Sequence, residues 1–102
     1  MRSIELDAAN WESVLEFYDA LLAALGAPHW HGRSIDALAD TMIWSDETNA
    51  VKPPYVVKIV NSAMASSEVR DELYVVRDWL TKSRREFQAR NGHDVEVSFE
   101  IL

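Results

Sequence analysis

The chain has 102 residues, no cysteine, 48% apolar residues and a formal net charge of -7. That length fits one compact domain over 1–102, with enough apolar residues for a core. The missing cysteines exclude a thiol nucleophile, a thiolate metal site and a disulfide framework, and the acidic balance opposes nucleic-acid phosphates and anionic lipid while favouring basic partners.

Residues 3–7 alternate Ile4 and Leu6 with polar neighbours, the period of a strand with one buried face. No signal-peptide run is expected there, and no apolar stretch is long enough to cross a bilayer, so the expected location is the cytoplasm. Asn10 is placed to cap a helix from Trp11 onward. Its apolar residues Trp11, Val14, Tyr18, Leu21, Leu22 and Leu25 follow the i, i+3, i+4, i+7 spacing. Gly26 supplies its stop and Pro28 follows. Ser34 caps a shorter second helix. On its wheel Ile35, Leu38 and Met42 are predicted to face the core. Asp36, Ala39, Asp40 and Ile43 are predicted to face out, with Trp44 near the boundary.

Residues 45–54 contain Asp46, Glu47, Asn49, Pro53 and Pro54 and read as a surface loop. The β-branched run over 55–60 is nearly continuous, as in a central strand buried on both faces. Ser66 or Ser67 caps a long third helix with the stripe Val69, Leu73, Val76, Leu80 and Phe87. Acids near its start and Lys82, Arg84, Arg85 and Arg90 near its end complement the helix dipole, and Asn91-Gly92 closes it. Val95, Val97, Phe99 and Ile101 then alternate with Glu96, Ser98 and Glu100, which predicts a final strand. Strands alternating with helices imply parallel pairing through right-handed crossovers. The expected architecture is α/β, a three-stranded parallel sheet packed mainly on one side by helices. The other sheet face then needs cover or stays partly exposed.

Asp36 and Asp40 share one helix face at i and i+4. Three readings stand: a solvated acidic face, a general acid/base pair, and a carboxylate pair shown to a basic partner. The second needs burial to split the two pKa values, and only Ala39 and Ile43 are apolar on that face. His29 and His31 form an H-x-H pair, which binds zinc only if His93 or an aspartate joins it. Asp36 would be the aspartate in a metal-dependent enzyme. Trp11 falls on the first helical stripe and Trp79 at the rim of the third. Trp30 and Trp44 flank the second helix as either core lids or interface anchors. Lys82-Ser83-Arg84-Arg85 is short, surrounded by acid and explained by the helix dipole, so no nucleic-acid partner is expected. No G-x-G-x-x-G, P-loop, G-x-S-x-G or H-E-x-x-H pattern occurs. An enzyme is therefore not expected, and no cofactor or metal is implied.

The run Phe17-Tyr18-Asp19-Ala20-Leu21-Leu22-Ala23-Ala24-Leu25-Gly26-Ala27-Pro28, then Trp30, Gly32, Ile35-Asp36-Ala37-Leu38 and Asp40, resembles the barstar family of intracellular inhibitors of secreted microbial ribonucleases. The resemblance implies a three-stranded parallel sheet with helices. It implies that the loop and second helix plug a ribonuclease active site. Asp40 matches the aspartate that enters the phosphate-binding pocket, and Asp36 matches a second acidic contact. Trp30 matches an aromatic of the loop, and Gly32 the loop glycine. The expected partner-binding set is Trp30, His31, Gly32, Arg33, Asp36, Ala39, Asp40, Ile43 and Trp44. The expected partner is a basic ribonuclease, met by a chain that is monomeric when free. The sequence departs from the family pattern at Ala39, where tryptophan is common, and at His31, where another aromatic is common. Arg33 adds a positive charge, and the loop over 45–54 is long. These departures carry a second reading, a module of the same fold that neutralises a different toxin or binds another basic protein.

Overall fold

A computed structural model of the chain describes residues 1–27, 32–44 and 49–102. Strand β1 (Arg2–Asp7) leads to helix α1 (Val14–Leu25), then to helix α2 (Ile35–Ala39), which runs directly into a π-helical turn at Asp40–Trp44. Strand β2 (Tyr55–Val60) follows, then a single 3-10 turn at Ser62–Met64, the long helix α3 (Ser67–Asn91) and strand β3 (Val97–Ile101). The strands form one parallel sheet in the order β1-β2-β3, so β2 is central. This is the α/β architecture expected from the alternation of periods.

Tyr55, Val57 and Ile59 point to one face of β2 and are fully buried. In register with them are Ile4 and Leu6 of β1 and Val97, Phe99 and Ile101 of β3. The helices close this face, and Phe17 of α1 meets Phe99 edge-on at 6.2 Å. On the opposite face Val56 is buried, but Lys58 and Val60 are only half-buried. β2 is thus not buried on both faces as its composition predicts. Lys58 lies between Glu5 and Glu100 in the pairing register, which makes that face a charged surface in the middle.

Helix termini follow local chemistry. Ser34 Oγ accepts from the Ala37 N–H at 3.2 Å, and Ser66 Oγ accepts from the Val69 N–H at 3.3 Å, as N-caps should. Gly26 (φ 67°) and Gly92 (φ 74°) adopt the left-handed conformation that ends α1 and α3. The cap of α1 is Ser13, not Asn10: Ser13 Oγ accepts from the Glu16 N–H, in a Ser-x-x-Glu pattern. Trp11 therefore precedes the helix. It is still buried, with its ring 5.5 Å from Phe17.

The helices are also tied across the fold. Tyr18 of α1 donates its phenolic proton to Glu72 of α3 at 2.5 Å. Burial, followed by this hydrogen bond, pushes the Tyr18 hydroxyl pKa well above its usual value of 10. Ser66 donates to the Glu12 carbonyl at 3.0 Å, which joins the start of α3 to the approach to α1.

Candidate functional site

The helical stretch 35–44 is packed over most of its surface. Leu38, Ala39, Thr41, Met42 and Ile43 are buried, and Ile35, Ala37 and Trp44 are half-buried. Asp36 and Asp40 are the exposed residues of the stretch. Among the described residues neither carboxylate has an ion-pair partner. The result is a narrow acidic ridge on an otherwise packed helix.

Ala39 and Ile43 do not face out as the wheel predicts: they are 5% and 2% exposed. Two physical causes account for this. The helix lies with both flanks against the core, so the small Ala39 is enclosed beside Leu38. From Asp40 the chain also changes to i→i+5 bonding, which adds a residue to each hydrogen-bonded loop and breaks the α-helical wheel before Ile43. A tryptophan at position 39 would have to enter packed space here. Ala39 instead contributes a methyl group to the core.

The π-helical turn is fixed by a buried polar pair. Thr41 Oγ1 donates to Asn49 Oδ1 at 2.8 Å, and Asn49 Nδ2 donates to the Thr41 carbonyl at 2.8 Å. Asn49 thereby satisfies a carbonyl that a helix end leaves open. The segment carrying Asn49 is itself anchored to the end of α1, through Val51 N–H to the Leu25 carbonyl at 3.1 Å. A Cβ on Gly26 would lie 2.4 Å from the Ala50 Cβ, so the contact requires glycine. Asn49 and Val51 are buried, so the predicted surface loop over 45–54 contributes to the core in its second half.

Of the remaining predicted contact residues, Gly32 and Arg33 are exposed ahead of the Ser34 cap. Arg33 Nε donates to the Asp19 carboxylate of α1 at 2.7 Å, which directs its charge back onto the protein. Pro28, His29, Trp30 and His31, hence the H-x-H pair and the loop aromatic, lie outside the described residues, as do Ser45, Asp46, Glu47 and Thr48. Among the described residues no three His, Cys, Asp or Glu side chains converge as a metal ion would need. Trp44 is half-buried, with the Phe87 ring edge-on at 5.4 Å and the Arg90 guanidinium 5.4 Å from its ring centre.

Trp44 also borders an open groove of about 570 Å³, whose walls include Pro53, Pro54, Phe87, His93 and Val95. No local sequence pattern connects these residues with the 35–44 helix. Phe87 was legible only as the last member of the α3 stripe. The turn beyond α3 is braced by Arg84, which donates Nε to Asp94 at 2.7 Å and Nη2 to the other Asp94 oxygen at 2.5 Å. Arg84 Nη1 also reaches the Val97 carbonyl and Ser98 Oγ on the edge strand. This brace holds the Asp94 carboxyl down at about 2, chiefly through the Arg84 hydrogen bond.

The fold is an α/β module, a three-stranded parallel sheet covered on one face, with an exposed carboxylate ridge, a half-buried tryptophan and a groove of mixed apolar and polar lining. The family comparison agrees over nearly the whole chain: residues 1–100 match the model of the Barstar (barnase inhibitor) family. The chain belongs to the barstar family, whose members are inhibitors rather than enzymes. A comparison with curated proteins gives no match. No described helix is long and apolar enough to cross a membrane.

Proposed function

We propose that the chain acts in the cytoplasm as a non-enzymatic inhibitor of a small basic microbial ribonuclease. It would work as one domain, monomeric when free, and cover the enzyme's active site with the surface around the 35–44 helix. The observation that carries this reading is the burial pattern of that helix: Asp36 and Asp40 are exposed while the residues between and after them are packed. A carboxylate held on a fixed backbone can occupy the place of an RNA phosphate. It accepts charge-assisted hydrogen bonds from the arginine and lysine side chains that would otherwise bind that phosphate. Asp40 is the principal mimic in this reading and Asp36 its support. The net charge of -7 speeds encounter with a basic enzyme, an effect for which barnase and its inhibitor are a standard illustration.

The test is inhibition of RNA cleavage by barnase and by a panel of other small basic microbial ribonucleases. The unaltered chain inhibits at least one of them in equimolar amounts, and Asp40→Ala abolishes that inhibition while the far-ultraviolet circular dichroism stays the same. Equal inhibition by the variant would remove Asp40 from its assigned role. The second reading, a different toxin or basic protein as target, is favoured by one observation: Ala39 is buried and offers a partner no aromatic surface. Recovery of only non-nuclease partners from the native cell would favour it.

A further inference from the structure

The groove beside Trp44 differs from the acidic ridge in chemistry. Trp44, Phe87 and His93 form a row, with both successive ring pairs edge-on at 5.4 Å. Arg90 sits over Trp44 at 5.4 Å. Pro53, Pro54 and Val95 supply part of its apolar lining. Asp94, on the same wall, is already neutralised by Arg84, and the other charged lining residues, Lys52 and Glu96, have opposite signs. A chain with a net charge of -7 thus carries, next to its acidic ridge, a nearly neutral aromatic recess.

We infer that this recess is the second half of the docking surface and takes one uncharged aromatic side chain, carried by a ribonuclease loop adjoining the basic residues that meet Asp36 and Asp40. The inference rests on the function proposed above. Three observations support it. The recess and the ridge share one rigid element, because Trp44 is the last residue of the π-helical turn that Asp40 begins. A partner seated on Asp40 therefore comes up against Trp44. The lining is preorganised: Arg84 bonds Asp94, the Val97 carbonyl and Ser98, and the Glu96 N–H bonds Asp94 at 3.0 Å. The turn on that side of the recess therefore has little freedom left to lose on binding. Tryptophan and arginine are residues enriched where binding energy concentrates, and here they stack on each other at the margin of the recess. Charge complementarity sets the occupant: a basic side chain belongs on the ridge, and an apolar ring belongs in the recess. Phe87, Arg90 and His93 become specificity-determining residues, and Trp44 supplies the aromatic surface that Ala39 does not.

The experiment uses the full chain with barnase and the same ribonuclease panel, and measures association and dissociation rates separately. Phe87→Leu keeps an apolar side chain in place, and Arg90→Ala changes an exposed residue. Both therefore test the recess without unfolding the protein. Each variant should raise the dissociation rate by about tenfold, with an association rate within about twofold of the unaltered chain. The Phe87 and His93 ring signals in nuclear magnetic resonance spectra should shift on adding the enzyme. If a ribonuclease binds in an Asp40-dependent way while both variants dissociate like the unaltered chain and the ring signals stay put, the inference is wrong and the functional reading survives. Ring signals that move with the concentration of the chain alone would assign the recess to a second copy and overturn the inference. If no ribonuclease binds the unaltered chain, the functional reading fails and the inference falls with it.

Discussion

The 35–44 helix and α3 both carry charged and aromatic residues, yet they use them in opposite ways. On α3 several charged and aromatic side chains meet neighbours on the same helix. Arg77 pairs with Asp78 at 3.2 Å and lies 4.9 Å from the Tyr74 ring centre. Lys82 Nζ lies 5.5 Å from the centre of the Trp79 ring. On the 35–44 helix every large side chain is at least half-buried, and the two exposed carboxylates have no ion-pair partner among the described residues. Paired charge on a surface contributes little beyond solubility. Unpaired charge of one sign on a rigid backbone is what the proposed function requires of its docking surface. Charge count alone would have favoured α3.

The contrast can be broken most sharply at Asp40. Asp40→Ala should weaken inhibition of the cognate ribonuclease by about a hundredfold or more. The melting temperature should stay within a degree or two. A variant that loses inhibition and stability together would mean that Asp40 belongs to the fold rather than to the surface.

The support of the ridge comes next. Gly26→Ala places a Cβ 2.4 Å from that of Ala50, at a φ of 67°. The left-handed backbone alone costs about 1–2 kcal/mol for a residue with a Cβ, and the close contact adds to it. Asn49→Ala leaves the buried Thr41 carbonyl and hydroxyl without their partner and should cost about 1–3 kcal/mol. Urea titration followed by tryptophan fluorescence measures both losses. If Asn49→Ala also weakens inhibition in conditions where the protein stays folded, the π-helical turn positions Asp40.

Two pH effects test the ties outside the ridge. The Asp94 carboxyl is lowered in the folded state, from 3.8 to about 2. Its contribution to stability is therefore fully present above about pH 4 and is lost as the pH falls toward 2. Asp94→Asn should flatten the acid limb of the stability curve over that window. The Tyr18 hydroxyl is raised above 10, so its contribution holds below pH 10 and is lost as the pH rises further. Tyr18→Phe should be less sensitive to alkali there. The smallest effect belongs to α3: Asp78→Ala removes only an exposed pair and should change inhibition by less than about twofold.

Much of the scaffold was legible in the sequence. The caps Ser34 and Ser66 and the stops Gly26 and Gly92 stand where the pattern puts them, because each acts through a hydrogen bond or a φ angle within a few residues. Ser13-x-x-Glu16 was an equally local signal and points to the correct start of α1. The stripe from Val69 to Leu80 faces the core as its period predicts. At the site, Asp36 and Asp40 are exposed as expected. Ala39 and Ile43 are not, because the 100° wheel cannot anticipate packing on both flanks or a change to i→i+5 bonding. Phe17, absent from the predicted stripe, is fully buried because the sheet supplies Phe99 opposite it.

What the sequence determined alone is the set of short-range instructions: where helices begin and end, and that two carboxylates stand four residues apart. Hydrogen bonds and steric limits within a turn enforce these whatever the rest of the chain does. Only the tertiary structure decided that the helix carrying those carboxylates would be buried around them, and that Asn49 would hold it open at Thr41. The structure likewise brought Trp44, Phe87 and His93 into one row. Those outcomes depend on side chains distant in sequence competing for the same space over one sheet, and no local pattern encodes which of them will meet.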